Sequence, residues 1–411
     1  MNLAVTLEHR FFRTPDGAVW TQGLHAYPFW RRFLAVFEGV KVVARVREMA
    51  QRPGRGWTLA SGEGVTFLAV PDYLGPWQYL AKCVPVRRAI RQAVDPHDAV
   101  IMRVSSHLAG CLEPLLAERG QPYGLQVVND PYDEFAPKAV DYFCRPLFRF
   151  HFTHQLRRQC SHAVAAAYVS ERALQARYPC GAVSVAVSDV EIPEAALRST
   201  PRLFPNCADP RREYRLVTVA SLAQMYKAPD ILLRAMADGV RAGLNLKLRF
   251  VGDGRHRPEM ERLSTKLGLG ERVRFLGHLP AGKRVREELE NADLFLLPSR
   301  TEGLPRALIE AMAQSLPAIA TTVGGIPELL PAKDLVRPGD AASLAAKLIE
   351  VLRDPARMNA MAAHNLRRAG DFRDDLLDGR RTAFLREVRR RTEQWLASPE
   401  ARFATALVMP A

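Results

Sequence analysis

The amino-acid sequence predicts an α/β protein made of two Rossmann-like, doubly wound domains, each a parallel sheet covered by helices. The chain has 411 residues, which is too many for one hydrophobic core, so two domains of about 200 residues are expected. Short apolar runs alternate with longer helical segments along most of the chain, a pattern typical of parallel strands joined by helical crossovers.

The first half contains short apolar runs that predict strands, with an amphipathic helix at 79–93 among them. These runs lie at 2–7, 40–46, 66–70, 99–103, 124–128 and 163–169. Segment 184–210 then loses helical periodicity and gains prolines, which places the linker between the domains there.

The second half repeats the alternation and ends in helices, the last of them at 374–396. Its predicted strands lie at 215–220, 248–251, 274–279, 294–297 and 318–320. We therefore predict a first domain over 1–205, a second domain over 206–370, and C-terminal helices over 371–411.

The chain is strongly basic, with a net charge of +14 and a pI near 9.8. Such a balance indicates an anionic partner, which means nucleic acid, a phosphate-bearing substrate or an anionic membrane surface. The six cysteines are scattered, and neither a Cys-x-x-Cys nor an Asp-x-Asp pair occurs, so we expect no disulfide framework, no zinc and no metal cofactor. Without a signal peptide or an apolar run long enough to span a bilayer, we expect a cytoplasmic or peripheral protein.

Stretch 292–330 is the most informative part of the chain. It predicts a buried strand, a polar loop, a helix, a second buried strand and a glycine turn. Pro305 suits the first turn of the helix, where a missing N–H costs nothing. The N–H groups from Gly303 to Arg306 lack intrahelical partners, so they form an anion site that a phosphate can approach closely at the glycine.

Two carboxylates flank this predicted anion site, Glu302 in the loop and Glu310 along the helix. Such a pair suits a ligand with hydroxyl groups on both sides of its phosphates, as a nucleotide sugar has. The alternative is a surface helix with two solvated glutamates, which leaves Gly303, Pro305 and the turn at 324–325 unexplained.

The same stretch resembles the donor-site signature of the retaining nucleotide-sugar glycosyltransferases of the family 4 type, which have the two-domain GT-B fold. The resemblance rests on Pro-Ser-x-x-Glu-Gly-x-Pro at 298–305, Glu-Ala-Met-Ala at 310–313 and Gly-Gly-x-Pro-Glu at 324–328. It implies that the domains face each other across a cleft, with the donor on the second domain and the acceptor on the first.

The resemblance also implies roles for individual residues. Glu302 would hold the sugar hydroxyls and Glu310 the ribose, while Lys227 matches a lysine that neutralises the departing diphosphate. Ser221 stands where relatives usually have arginine, so half of the cationic clamp is absent, and Arg306 is the candidate that supplies this charge. The other donor-binding candidates are loop residues of the second domain, Gly303, Leu304, Gly252, Gly254 and Gly277.

Gly17 is the donor-side candidate of the first domain. In relatives, a glycine-bearing loop after the first strand approaches the donor phosphates, and Gly17 follows the first predicted strand. A plain turn glycine, which supplies a positive φ, is the alternative interpretation.

Ligands of a doubly wound sheet bind beyond the carboxyl ends of its strands, which singles out Arg103, His107, Asn129 and Asp130. Relatives often have His-Asp where this chain has Asn129-Asp130, and another histidine near the position of Arg103. No histidine role is therefore transferred. Asp130 is the catalytic candidate, and the other three are acceptor-side candidates.

Segment 141–159 interleaves aromatic residues with arginine and histidine, and no acidic residue follows Asp141 before Glu171. One interpretation is a core helix with a solvated charged face, and the other is an interfacial helix that contacts anionic lipid headgroups. Nucleic acid is a third possibility, but no nucleic-acid-binding module accompanies the charge, and we expect no such partner.

These observations predict transfer of a hexose-type sugar from a nucleotide-diphosphate donor to a saccharide, with retention and without a metal. Segment 170–179 resembles one in polysaccharide-assembling relatives, which favours a lipid-linked acceptor. Three alternatives stay open: a GT-B enzyme such as an epimerase or phosphorylase, a non-catalytic nucleotide-sugar-binding subunit, and a dinucleotide-dependent oxidoreductase. The last is disfavoured because Arg257 stands where the third glycine of its fingerprint belongs.

Overall fold

A computed structural model describes residues 1–54, 56–137, 143–190, 192–205, 212–280 and 282–399. Within these ranges the chain forms two domains of predominantly parallel sheet and helices, which confirms the predicted fold class. None of the helices in the described ranges is long and apolar enough to cross a lipid bilayer.

The first domain is built around one large sheet. Its strands are β1 (Asn2–Arg13), β2 (Val19–Thr21), β3 (Gly39–Glu48), β4 (Thr58–Leu59), β5 (Val65–Val70), β6 (Ala99–Val104), β7 (Gly124–Val127), β8 (Ala165–Tyr168) and β9 (Val183–Ala186). Strands β5, β3, β1, β6, β7, β8 and β9 lie side by side in that order and run parallel. Strands β2 and β4 extend the end of β1 in antiparallel pairing.

Strand β1 runs past its predicted end at residue 7. Its first part pairs with β3 and β6, and a register shift between Thr6 and Arg10 redirects its last part, which pairs with β2. The loop predicted after this strand is instead a hairpin. Gly17 occupies the exposed tip of this hairpin, where its φ of 82° suits the tight turn.

Helices cover both faces of the first sheet. They are α1 (Tyr27–Arg31), α2 (Gly75–Ala93), α3 (His107–Arg119), α4 (Pro131–Glu134), α5 (Arg145–His162) and α6 (Ala173–Arg177). Helices α2, α3 and α5 bury apolar side chains in one shared core cluster, among them Ile90, Leu112 and Leu156. Segment 141–159 is therefore in part a core helix, as one interpretation has it, while positions 141 and 142 lie outside the described residues.

The second domain has its own parallel sheet, in the strand order β12-β11-β10-β13-β14-β15. These strands are β10 (Glu213–Val219), β11 (Asn245–Val251), β12 (Val273–Gly277), β13 (Leu294–Leu297), β14 (Ala318–Thr321) and β15 (Leu335–Val336). Its helices, with the final helix of the chain, are α7 (Pro229–Arg241), α8 (Arg257–Lys266), α9 (Lys283–Glu290), α10 (Arg306–Ala313), α11 (Ile326–Leu329), α12 (Ala341–Leu352), α13 (Pro355–Ala369) and α14 (Asp374–Leu396).

Two segments cross between the domains. Residues 192–204 pack on the second domain, upstream of the predicted boundary at 205, since Ile192 and Phe204 are buried in its core clusters. Helix α14, which has its predicted bounds, packs Phe384 and Val388 into the core of the first domain. The chain therefore returns to the first domain at its C-terminal end.

Candidate active site

A buried ion pair joins Lys227 to Glu302 beyond the carboxyl edge of the second sheet. Lys227 Nζ lies 2.6 Å from Glu302 Oε1, which also accepts a hydrogen bond from Ser299 Oγ at 2.6 Å. Although burial alone would lower it, the Glu302 carboxylate holds the pKa of Lys227 above its ordinary value. Both bonds fall on Oε1, so the described residues leave Glu302 Oε2 without a donor and two Lys227 N–H bonds without an acceptor.

Arg300, which the sequence analysis missed, ties the loop of Lys227 to the loop of Glu302. Its guanidinium donates to the Asp230 carboxylate at 2.8 and 3.1 Å and to the Met225 carbonyl oxygen at 2.7 Å. Its backbone N–H donates to the carbonyl oxygen of the residue before Lys227 at 2.7 Å. The arginine side chain therefore positions the ion pair without being part of it.

Helix α10 begins directly beside this pair. Pro305 is its N-cap residue, so Arg306 is the first helical residue, and no side chain within the described residues caps the helix. Its first N–H groups are therefore available to an anion. Further along, Glu310 Oε1 lies 3.6 Å from Arg306 Nη2, and burial raises the pKa of Glu310 in spite of the nearby Arg306 and Arg286 guanidinium groups.

The predicted nucleotide-side glycines bring three strand ends together. Gly252 N donates to the Gly277 carbonyl oxygen at 2.9 Å. A Cβ atom on Gly252 would lie 1.9 Å from the Ala220 carbonyl oxygen, and one on Gly254 would lie 2.2 Å from Ala223 N. Side chains would separate these loops, so the glycines hold the edge of the second sheet in its compact form.

Ser221 faces solvent and is engaged with its own loop. Its hydroxyl accepts a hydrogen bond from Ala223 N at 3.1 Å. A guanidinium lies beside this loop nonetheless, because Arg255 Nη2 donates to Gln224 Oε1 at 2.8 Å. Arg255 is not among the predicted site residues.

Gly303 and Leu304, both predicted donor-binding residues, lie where the two domains touch. A Cβ atom on Gly303 would lie 2.4 Å from the carbonyl oxygen of Val128 in the first domain, and Leu304 packs against core clusters of both domains. Glu328, which closes the Gly-Gly-x-Pro-Glu motif, accepts hydrogen bonds from the backbone N–H groups of residues 171–173 at 2.6, 3.0 and 2.6 Å. The donor-site motif thus also joins the domains.

Asp130, the catalytic candidate of the first domain, is buried and engaged by its neighbours. It accepts hydrogen bonds from Tyr178 Oη at 2.5 Å and Tyr132 N at 2.9 Å, and it pairs with Arg177. Burial raises the pKa of Asp130, against the effects of Tyr178 and Arg177. The residue lines a groove of about 600 Å³ between the domains, opposite the glycine turn at Gly324.

Two acceptor-side candidates, Asn129 and His107, also have their contacts within the first domain. Asn129 Oδ1 accepts from Ser105 N at 2.8 Å, and its Nδ2 donates to Glu134 Oε2 at 2.6 Å. The ring of His107 contacts aromatic rings of α2 and α5, and burial lowers its pKa. The structure therefore gives both residues packing or loop-tying contacts.

Arg103 belongs to a cluster that the sequence analysis found only in part. It pairs with Asp189, and although burial alone would raise it, Arg103 lowers the pKa of Asp189. The rings of His9 and His25 lie 4.8 Å apart. Burial, reinforced by Arg45 and then Arg103, lowers the pKa of His9 to about 4, and burial with Arg103 lowers that of His25 well below its ordinary value. The Arg306 guanidinium of the second domain also acts to lower the pKa of Asp189 and of His25.

Comparisons with known proteins agree with this architecture. Residues 213–354, which include Lys227, Glu302 and Glu310, match the family model described as "Glycosyl transferases group 1". Protein CapJ of Staphylococcus aureus is 26% identical over 330 residues, which are 79% of this chain and 80% of that protein. A "GDP-mannose-dependent monoacylated alpha-(1-6)-phosphatidylinositol monomannoside mannosyltransferase" of Corynebacterium glutamicum is 39% identical over 146 residues, which are 33% of this chain and 38% of that enzyme.

Solved structures show the same two-domain arrangement. Sucrose-phosphate synthase from Thermosynechococcus elongatus matches with a TM-score of 0.68 at 17% identity, covering 97% of this chain and 100% of that one. WaaG, described as a glycosyltransferase involved in lipopolysaccharide biosynthesis, matches with a TM-score of 0.62 at 17% identity, covering 93% and 98%. The fold is therefore that of the GT-B glycosyltransferases. The match to the group 1 glycosyl transferase model lies within its second domain, at residues 213–354.

Proposed function

We propose that this chain is a retaining, metal-independent glycosyltransferase that moves a hexose-type sugar from a nucleoside-diphosphate donor to a saccharide acceptor. The buried Lys227–Glu302 pair carries the proposal, because it places a cation and a carboxylate with an unengaged oxygen beside the uncapped start of α10. A diphosphate at this helix end would have Lys227 and Arg306 as counter-charges, so the leaving group needs no metal ion.

In the proposed reaction the bond between the anomeric carbon and the diphosphate oxygen breaks, and its electron pair leaves with the diphosphate. Lys227 and the first N–H groups of α10 stabilise that charge, while Glu302 Oε2 and Glu310 accept hydrogen bonds from sugar and ribose hydroxyls. The acceptor hydroxyl attacks the face that the diphosphate leaves, and its proton passes to the departing phosphate. Because Lys227 and Ser299 already engage Glu302 Oε1, we assign Glu302 to binding rather than to nucleophilic attack.

For the acceptor, we propose a lipid-linked saccharide that reaches the cleft from the first domain at the cytoplasmic face of a membrane. The groove of about 600 Å³ between Asp130 and Gly324 offers room for it. The Corynebacterium glutamicum relative, named as a phosphatidylinositol monomannoside mannosyltransferase, supports this class of acceptor.

A thermal-shift screen against UDP-, GDP- and ADP-sugars tests donor binding. A bound donor stabilises the native state by an amount set by its concentration relative to its dissociation constant. We expect the sugar nucleotides of one base to raise the melting temperature of the protein. Isotope-labelled sugar from that donor should then be transferred to an acceptor in an extract. Absence of any shift with all three bases would contradict the proposal.

A non-catalytic nucleotide-sugar-binding subunit is the second candidate. It is favoured by the uncharged, loop-bound Ser221 and by Asn129, whose amide is bonded within the first domain. Donor binding without transfer or hydrolysis in any acceptor extract would establish this candidate. Conversion of the labelled donor in the absence of acceptor would instead indicate an epimerase or phosphorylase.

A further inference from the structure

The large apolar side chains that are most exposed gather on two neighbouring helices of the first domain. In the described part of the chain, every large apolar side chain that is more than half exposed lies near the start of α2 or α5, apart from Leu203. Trp77 is 79% exposed and Phe150 is 73% exposed. We call this surface the apolar–basic face. It consists of Leu74, Trp77, Leu80, Val84, Phe143, Leu147 and Phe150.

Both helices have the same distribution of side chains along their outer surfaces. The apolar residues come first, and basic residues follow, Arg88 and Arg91 on α2 and His154 and Arg157 on α5. Neither Gly75–Ala93 nor Arg145–His162 contains an acidic residue. The opposite side of each helix already supplies the core, so folding does not require the exposed apolar residues.

The two helices both flank the start of α3. The ring of His107, at the start of α3, contacts Tyr79 of α2 at 4.8 Å and Phe152 of α5 at 4.7 Å between centroids. Both α2 and α5 begin beyond the carboxyl edge of the first sheet, the edge that faces the cleft. The apolar–basic face therefore borders the proposed acceptor side.

We propose that the apolar–basic face docks on an anionic lipid bilayer, with its aromatic and aliphatic side chains in the interfacial region and its basic residues on lipid headgroups. Surfaces of this composition lie in the plane of a membrane interface, and each basic residue adds electrostatic attraction to anionic lipid. The proposal extends the expected role of segment 141–159 to α2, and it concerns a surface separate from the donor site.

The charges disfavour the other occupants. A second copy of this chain would bring the same acid-free, basic helices against each other, which places like charges in contact. Nucleic acid would satisfy the charge and could stack on Trp77, Phe143 and Phe150, but it would leave the aliphatic Leu80, Val84 and Leu147 in water. An anionic lipid surface can pair its headgroups with the basic residues and also bury the aliphatic side chains.

Co-sedimentation of the full chain with vesicles tests the proposal. We expect binding to vesicles of phosphatidylglycerol and phosphatidylethanolamine that weakens with salt, and little binding to phosphatidylcholine alone. The double variant Trp77→Ser/Leu80→Ser should lower the partition coefficient at least tenfold. Leu203→Ser is the matched control, because Leu203 is 83% exposed outside this face, and it should bind as the wild type does.

Charge reversal supplies a second, independent comparison. Arg88→Glu should lower the partition coefficient by more than the roughly fivefold expected for loss of one basic residue. Arg386→Glu, an exposed position on α14 that makes the same change in net charge, should have little effect. A blue shift of tryptophan emission on adding anionic vesicles, lost in Trp77→Phe, would report burial of this side chain in lipid.

Several results would overturn the proposal. They are failure of the wild type to bind anionic vesicles at low salt, and equal binding by Trp77→Ser/Leu80→Ser and Leu203→Ser. Two other results would assign the face to another occupant. One is a wild-type dimer, detected by light scattering, that is absent in Trp77→Ser/Leu80→Ser, and the other is RNA binding that is lost in the same variant. Donor thermal shifts in the same variants should match the wild type, so failure here is distinguishable from failure of the proposed function.

Discussion

The carboxyl edges of the two sheets use their polar side chains in different ways. At the edge of the second sheet, Lys227 and Glu302 meet through a single carboxylate oxygen, which leaves the other oxygen unengaged within the described structure. Glu310 makes one long ion pair with Arg306, at 3.6 Å. These groups retain bonding capacity for a ligand.

At the edge of the first sheet, the corresponding polar side chains already form hydrogen bonds and ion pairs within the first domain. Asp130 is the N-cap of α4, accepts from Tyr178 and pairs with Arg177. Asn129 connects the backbone of Ser105 to the side chain of Glu134. These side chains stabilise the loops of the first domain, and their bonding groups are not available to a ligand.

The comparison shows that a polar residue after a parallel strand predicts a ligand group only where something else builds the turn. At the second sheet, glycines such as Gly252 and Gly254 let the loops meet backbone to backbone, so Lys227 and Glu302 keep bonding capacity that the turns do not use. At the first sheet, Asp130 and Asn129 build the turns themselves.

Lys227→Ala should lower kcat about 10²–10³-fold, because the variant lacks a positioned cation for the departing diphosphate. It also leaves buried Glu302 without its partner, so a loss of roughly 3–5 kcal/mol of stability is expected, and assays belong well below its melting temperature. Lys333→Ala, which removes a lysine outside the site, is the control. An unchanged kcat in folded Lys227→Ala would make the pair structural.

Asp130→Ala should lower the free energy of unfolding by about 2 kcal/mol, because Tyr178 loses its buried acceptor and Arg177 keeps only Asp133 as its carboxylate partner. The kcat of the folded variant should change little. Denaturant unfolding and steady-state kinetics on the same preparation separate the two effects, with the less buried Asp133→Ala as control. A large fall in kcat at unchanged stability would restore Asp130 as a catalytic residue and erase the contrast.

Glu310→Ala should raise the dissociation constant of the donor about tenfold or more, the value of hydrogen bonds to a charged acceptor. Burial raises the pKa of Glu310, so the group protonates on acidification at a higher pH than an ordinary glutamate, near 4.3. As the pH is lowered, the affinity of the wild type for the donor should therefore begin to fall before the pH reaches that value. Calorimetric titrations should show this fall and its absence in Glu310→Gln, whereas identical pH profiles would remove Glu310 from the donor site.

Glu328→Gln should have the smallest effect, a loss of about 1 kcal/mol of stability, because an uncharged oxygen accepts the three N–H groups of residues 171–173 less strongly. Small-angle scattering should show a larger radius of gyration if the contact holds the domains together. Glu171→Gln, which removes the charge paired with Arg368, provides the comparison. No change in either observable would show that the domains are held elsewhere.

The sequence was most informative where the signal is local. The motif of 292–330 predicts its own strand, glycine turn and helix, and the last helix has the bounds predicted for it, Asp374–Leu396. Side-chain pairs that are distant in the chain could not be predicted from local signals. Arg300 and Asp230 are 70 positions apart, and Asp130 and Tyr178 are 48 positions apart. The hairpin that carries Gly17 also escaped prediction, because its register shift depends on neighbouring strands.

The most direct test is a crystal structure of the chain with the nucleotide sugar that shifts its melting temperature. We expect diphosphate oxygens within hydrogen-bond distance of Lys227 Nζ and the first N–H groups of α10. We also expect the ribose at Glu310 and a sugar hydroxyl at Glu302 Oε2. A nucleotide bound at the edge of the first sheet, with Lys227 and Glu302 still paired and out of its reach, would contradict the account.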